Sequence, residues 1–130
     1  FIADFVGDSN MFDGRVRALN AASASITLAG GDLTTDARVD AAVSTGDTTT
    51  VALRFEDISI QRSGLTRNTV YPGEITETIF EGDQILYTVD ITGGLSLKIR
   101  EAHTQGGTVL ERGQTVEVGW DADDVMTFPD

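Results

Sequence analysis

One pattern is written twice along this chain, and it leaves few folds open. Gly14-Arg15-Val16 starts a run of alternating apolar and polar residues, and Gly73-Glu74-Ile75 starts another. Each run reaches a glycine pair, Gly30-Gly31 and then Gly93-Gly94, and resumes beyond a polar loop at Gly46-Asp47 and Gly113-Gln114. Each ends in a strand, an acidic pair and a last short strand, VALRFEDISI against VGWDADDVMTF. Duplication of this kind marks two copies of one supersecondary unit. RVRAL, SITLAG, TVALRF and ISI in the first copy alternate with the two-residue period of half-buried strands. EITETIF, ILYTVDI, LSLKIRE, TVEVGW and VMTF do so in the second. AGGD, STGD, TGG, TQGG and ERGQ punctuate them as turns.

Strands of this number and length would leave exposed edges in one open sheet. Two small, partly open barrels packed on each other bury them better. Each copy has only about 50 residues, marginal for a solitary core, so the two are expected to fold as one unit. The expected class is therefore all-β: tandem OB-like (MOP-like) small barrels, with a short N-terminal helical segment. That segment rests on Phe1, Ile2, Phe5 and Val6, which share one face of a helix that Gly7 would end. The expected boundaries are a leading segment over 1–12, a first OB-like repeat over 13–60, a polar connector over 61–72, and a second repeat over 73–130.

Charge narrows the function. The chain has 21 acidic and 9 basic residues, a formal charge of −12, and Lys98 is its only lysine. Nucleic-acid binding releases counterions through Lys and Arg that are scarce here, and an acidic surface repels both phosphate backbones and anionic lipid. No apolar run approaches the roughly 20 residues of a membrane-spanning helix. With no cysteine there is neither a disulfide framework nor a thiolate metal site.

Catalytic motifs are equally sparse. Lys98 lies in LSLKIRE with no GxxxxGK[ST] loop before it, so ATP hydrolysis by a phosphate-binding loop is excluded for this segment. His103 is the only histidine; a zinc site would need mostly carboxylates beside it, and a Ser-His arrangement lacks a GxSxG elbow. Asp121–Asp124, DADD, resembles a divalent-ion loop but lacks the central Gly and the distal Glu. A turn whose Asp side chains accept backbone N–H bonds accounts for it, and Glu56-Asp57 does the equivalent work in the first repeat. Trp120 alternates with Val116 and Val118, which turns its ring to the core.

The ends of the two repeats carry a resemblance. LRFEDISI resembles the L-R-P-E-D-I/L element, and GWDADDVMTF the S-W-x-P-E-D-V-x-x-L element, of the transport-associated OB (TOBE) domains. These follow the nucleotide-binding domain in ATP-binding subunits of bacterial ABC importers. FIADFVGDSNMFDGRV is similar to the family's F-V-A-x-F-I-G-x-x-N-x-F-x-G-x-V, and GEITETIFEGDQILYTVDITGG to a stretch of its second barrel. The junction GDSNMFDG resembles that of the polyamine (spermidine/putrescine)-type importers, a branch with iron and thiamine relatives. Phe55 and Ala122 stand where the family usually has Pro, and Asp123 where it has glutamate.

The resemblance implies a regulatory and dimerisation domain without catalysis of its own, cytoplasmic and peripheral on the inner face of the cell membrane. ATP and magnesium would belong to a preceding ATPase domain, and no cofactor to this segment. The implied partners are a second copy of the subunit, its own ATPase domain and, through that, the membrane permease. Residues 1–12 would be the end of the ATPase domain, and Phe1, Ile2, Phe5 and Val6 a former domain junction. Arg54, Glu56, Asp57, Trp120, Asp123 and Asp124, on the repeated terminal elements, are expected to serve barrel closure first and subunit contact second. The alternatives are a free-standing module binding an oxyanion or a polyamine, and an oligonucleotide-binding OB module. The acidic charge and inward-facing Trp120 oppose the last.

Overall fold

The computed structural model describes residues 8–20, 23–28, 33–38, 44–91, 95–103 and 109–129. The expected helix over Phe1, Ile2, Phe5 and Val6 lies outside them. Ten strands are present among these residues: β1 (Ser9–Asn20), β2 (Ser23–Leu28), β3 (Thr34–Arg38), β4 (Thr48–Arg54), β5 (Ser59–Gln61), β6 (Thr69–Glu81), β7 (Gln84–Ile91), β8 (Leu95–Ala102), β9 (Thr115–Trp120) and β10 (Met126–Pro129). Single 3-10 turns at Phe55–Asp57 and Ala122–Asp124 are the only helical elements among the described residues. The protein is all-β.

The strands form two five-stranded sheets, ordered β10-β4-β1-β2-β3 and β5-β9-β6-β7-β8. Every pairing is antiparallel. The orders are the same pattern, and each sheet takes its first-named strand from the other repeat. β5 ends the first repeat and pairs with β9, Ile60 opposite Val118. β10 ends the second and pairs with β4, Thr127 opposite Val51. The sequence repeat and the sheet are therefore different units, joined by a reciprocal exchange of terminal strands.

Long first strands make each sheet curl. β1 pairs with β4 through Ser9–Arg15 and with β2 through Gly14–Asn20; β6 divides its ladder between β9 and β7 in the same way. An irregularity follows each change of partner, between Val16 and Ala18 and between Ile75 and Glu77, and a bulge of this kind bends the strand. Glycine is required at the change itself. A Cβ on Gly14 would lie 2.7 Å from Ile26 Cγ2, and one on Gly73 would lie 2.7 Å from Val89 Cγ1 and 2.9 Å from the Asp90 carbonyl oxygen.

The later glycines explain the recurring Gly-Asp and Gly-Gln pairs. Gly46 and Gly113 have φ of 96° and 90°, a left-handed backbone that favours glycine. Their N–H groups donate to the Val16 and Ile75 carbonyls, each at 2.7 Å. The side chains of Asp47 and Gln114 accept from the Ser44 and Glu111 N–H groups at 2.8 and 2.7 Å. Each turn is thus stapled to the bulge of its own long strand.

One hydrophobic core spans both sheets. Val16, Ile26, Val51 and Leu53 from the first join Ile75, Tyr87, Val89, Leu97, Val116 and Trp120 from the second. The alternating runs place these residues inward; SASITL in β2, for example, buries Ala24, Ile26 and Leu28.

Two boundaries and one strand differ from the sequence reading. β1 opens at Ser9, inside the 1–12 segment, because Ser9–Phe12 has β4 to pair with. β6 opens at Thr69, inside the 61–72 segment, because Thr69–Pro72 pairs with β9. TTDAR, which falls within the expected polar loop, forms β3: its alternation is genuine, with Thr35 and Ala37 buried, but it is written in polar letters.

Candidate functional site at the crossover of the repeats

The exchange of strands runs through the two acidic turns. Phe55–Asp57 carries the chain from β4 in the first sheet to β5 in the second, and Ala122–Asp124 carries it from β9 back to β10. Each turn packs on an edge strand, the first on β8 and the second on β3.

The sequence-derived candidates divide by environment. Trp120 is 1% exposed, and its indole N–H donates to Thr35 Oγ1 at 2.7 Å, from one sheet to the other. The Tyr71 ring lies 6.3 Å away at a tilt. Asp124 closes the second turn: its Oδ2 accepts the Asp121 N–H at 3.1 Å, and its own N–H donates to the Asp121 carbonyl at 2.9 Å. Asn68 fastens the preceding loop to this turn, its N–H donating to Asp121 Oδ1 at 2.9 Å and its Oδ1 accepting the Ala122 N–H at 2.8 Å. Asp123 is exposed and forms an ion pair with Arg38, the two side chains 66% and 64% exposed. Arg54 and Glu56 are exposed, and Asp57 is half-buried.

The structure brings Asp57 and Asp124 together electrostatically. Burial raises the Asp57 carboxyl above its ordinary value, the Asp124 and Glu56 charges raise it further, and Arg54 opposes them. The acids written in separate repeats thus feel each other's charge across the two turns.

Three important side chains carried no signal in the sequence. Arg100 on β8 holds Asp8 at 3.0 Å and Glu81 at 3.3 Å, and its guanidinium lies 5.3 Å from the centre of the Phe55 ring. Asn10 on β1 reaches the free edge of β8, donating through Nδ2 to the Lys98 carbonyl and accepting the Lys98 N–H on Oδ1, both at 2.8 Å. Tyr71 on β6 does the reverse on the edge of β3, accepting the Thr34 N–H at 2.9 Å and donating to the Thr34 carbonyl at 2.6 Å. Each repeat's first strand therefore covers the edge of the other sheet. Only the fold makes these pairs neighbours.

Two hollows flank the crossover. A groove of about 470 Å³ separates β5 from β8, bordered by Glu56, Ile60, Arg67, Arg100 and Glu101. A polar cavity of about 210 Å³ lies between Thr34–Asp36 and Asn68–Tyr71. His103 sits beside neither; its ring meets Phe80 edge-on at 5.9 Å. Among the described residues no group of three or more His, Cys, Asp and Glu side chains could hold a metal, and no helix is long and apolar enough to cross a membrane. The polar groups at the crossover hold backbone and one another, which is the chemistry of a joint.

Comparison with known proteins agrees with this geometry. A family model described as "TOBE domain" matches residues 51–128, a span that includes both crossover turns. "Spermidine/putrescine import ATP-binding protein PotA" of Chromobacterium violaceum is 28% identical over 125 residues, covering 92% of this chain and 34% of the relative. The protein of that name from Rubrobacter xylanophilus is 28% identical over 128 residues, covering 94% and 32%. The chain thus spans about a third of the length of these curated relatives. Among solved structures, the cytoplasmic molybdate-binding protein ModG, with molybdate bound, superposes with a TM-score of 0.75 at 18% identity, covering 92% of this chain and 94% of that one. That likeness is one of fold, and the fold is the tandem OB-like arrangement.

Proposed function

The chain belongs to the TOBE-domain family, and on that premise we propose that it is the regulatory and dimerisation module of the ATP-binding subunit of a polyamine-type ABC importer. It does no chemistry of its own. The observation that carries the reading is the family match over both acidic crossovers, together with curated relatives named as spermidine/putrescine import ATP-binding proteins. ATP and magnesium are then the business of an ATPase domain outside this segment, and the assembly works on the cytoplasmic face of the membrane beneath a permease.

The physical role is to hold two ATPase domains together. Such domains associate weakly when no nucleotide bridges them, and a tethered module that pairs with its copy raises their effective concentration. A regulatory ligand or protein acts on such a pair only by binding one arrangement more tightly than another. Trp120 and Asp124 serve closure of the barrels in this reading. Arg54, Glu56 and Asp123, exposed on the same elements, are left for contact between subunits.

The fold of ModG favours a second reading, a free-standing oxyanion binder. Oxyanions are held by basic groups and backbone nests, whereas the cavity at Thr34–Asp36 and Asn68–Tyr71 is lined by an aspartate and no Lys or Arg, and in the larger groove Arg67 and Arg100 stand beside Glu56 and Glu101. The importer reading is therefore preferred.

Light scattering on the intact ATP-binding subunit, with and without residues 8–130, tests it. The subunit is expected to dimerise without nucleotide, with removal weakening the dimer by about 10²-fold. Equal dimerisation in both forms would sink the proposal.

A further inference from the structure

The polar cavity beside β3 is the counterpart of a place that is already filled in the other half of the molecule. Beyond its bulge, β1 sets Ala18 opposite Ser25, and Ser25 faces Asp36 on β3. Beyond its own bulge, β6 sets Glu77 opposite Thr88, and Thr88 faces Lys98 on β8. Asp36 and Lys98 therefore hold the same position on the two edge strands. Asn10 faces Leu53 near the end of β4, and Thr69 faces Trp120 at the end of β9, so these two also correspond.

In one half the Asn10 carboxamide lies against the outward peptide groups of Lys98 and makes both bonds at 2.8 Å. In the other half the corresponding side chain, Thr69, is too short to do this, and the cavity of about 210 Å³ stands there instead. Residues of an antiparallel strand alternate between turning both peptide groups to the partner and turning both away. Thr34 turns its N–H and C=O away from β2, where Tyr71 Oη takes them. Asp36, two residues on, presents its N–H and C=O in the same direction, toward the cavity.

We propose that this cavity binds a small neutral ligand bearing a primary carboxamide, which takes at Asp36 the place that Asn10 takes at Lys98. The ligand's carbonyl oxygen accepts the Asp36 N–H, and its amide N–H donates to the Asp36 carbonyl. That carbonyl already accepts Thr35 Oγ1 at 3.0 Å, and a carbonyl oxygen has two lone pairs, so both bonds fit. The chemistry discriminates. A carboxylate has no donor and meets the Asp36 side chain in a chain of formal charge −12, and an alkylammonium has no acceptor. Neither the site nor its ligand class depends on the importer reading.

Titration of the 130-residue chain by amide NMR tests the proposal, using propionamide, propionate and propylammonium as probes of one size. Propionamide is expected to bind with a dissociation constant on the order of millimolar. It should shift the amides of Thr35, Asp36 and Thr69, while the two ions leave them in place. Thr69→Asn, which supplies the missing plug, should weaken propionamide by at least about tenfold, the loss of a paired bond. Asn10→Thr should open a second site, shifting the Lys98 amide on addition of propionamide. Equal shifts with all three probes, preference for either ion, or unchanged binding in a folded Thr69→Asn variant would each overturn the proposal. If Thr69→Asn does not fold, the comparison of the three probes on the parent chain decides alone.

Discussion

Replacing Trp120 by Phe isolates one of the contacts that join the two sheets. The substitution removes the indole N–H that donates to Thr35 Oγ1 at 2.7 Å, and it empties part of a site that is 1% exposed. A buried hydrogen bond contributes about 1 kcal/mol net. The lost apolar contact and the space left behind cost about 1–2 kcal/mol more. The expected destabilisation is therefore about 2–3 kcal/mol, a fall in Tm of roughly 10 °C for a chain of this size. Thr35→Val, which leaves the indole N–H buried without a partner, should cost about 1–3 kcal/mol. Urea denaturation followed by circular dichroism on the two single variants and the double variant completes a cycle. A coupling of about 1 kcal/mol is expected, since the double variant forfeits the bond only once. Additive effects, with coupling below about 0.3 kcal/mol, would refute the claim that this bond ties one sheet to the other.

Other substitutions probe the remaining parts of the structure. Gly73→Ala sets a Cβ 2.9 Å from the Asp90 carbonyl, where backbone cannot yield cheaply, and should cost about 1–3 kcal/mol by thermal melting. Asp57→Asn should raise Tm at neutral pH, because burial and the Asp124 and Glu56 charges raise the Asp57 carboxyl above its unfolded value of 3.8. A raised carboxyl favours the fold most below the unfolded pKa and loses that contribution as pH climbs through the folded one, so the advantage of Asn should vanish near pH 3.8 and below. Arg38→Ala should change stability by less than about 0.5 kcal/mol, since its pairing with Asp123 is solvent-exposed on both sides.

Much of this architecture is readable because the chain says it twice. The glycines at 14 and 73, the Gly-Asp and Gly-Gln turns and the acidic pairs after the fourth strand of each repeat recur for a physical reason. Each stands where the backbone turns or two strands approach closely. Trp120 is inward because a strand alternates, and alternation is local. What could not be read is what depends on partners far along the chain. TTDAR carries little apolar weight, and only β2 on one side and Tyr71 on the other make it a strand. The exchange of β5 and β10 is invisible because three or four residues of alternating strand do not say which sheet receives them. Arg100, Asn10 and Tyr71 look like ordinary strand residues until their partners, Asp8, Lys98 and Thr34, are brought alongside. Sequence can show the duplicated units, but pairing between them is a property of the fold.

The two repeats make one body by lending each other their last strands. Splitting the chain between Ser63 and Gly64, in the exposed loop after β5, tests it most directly. The first piece keeps β5 without β9 and β4 without β10; the second lacks β5 on β9 and carries β10 without β4. Neither piece should melt cooperatively alone, and an equimolar mixture should restore the circular dichroism and Trp120 fluorescence of the intact chain. A piece that folds by itself, with native-like dichroism and a sharp melt, would contradict the account.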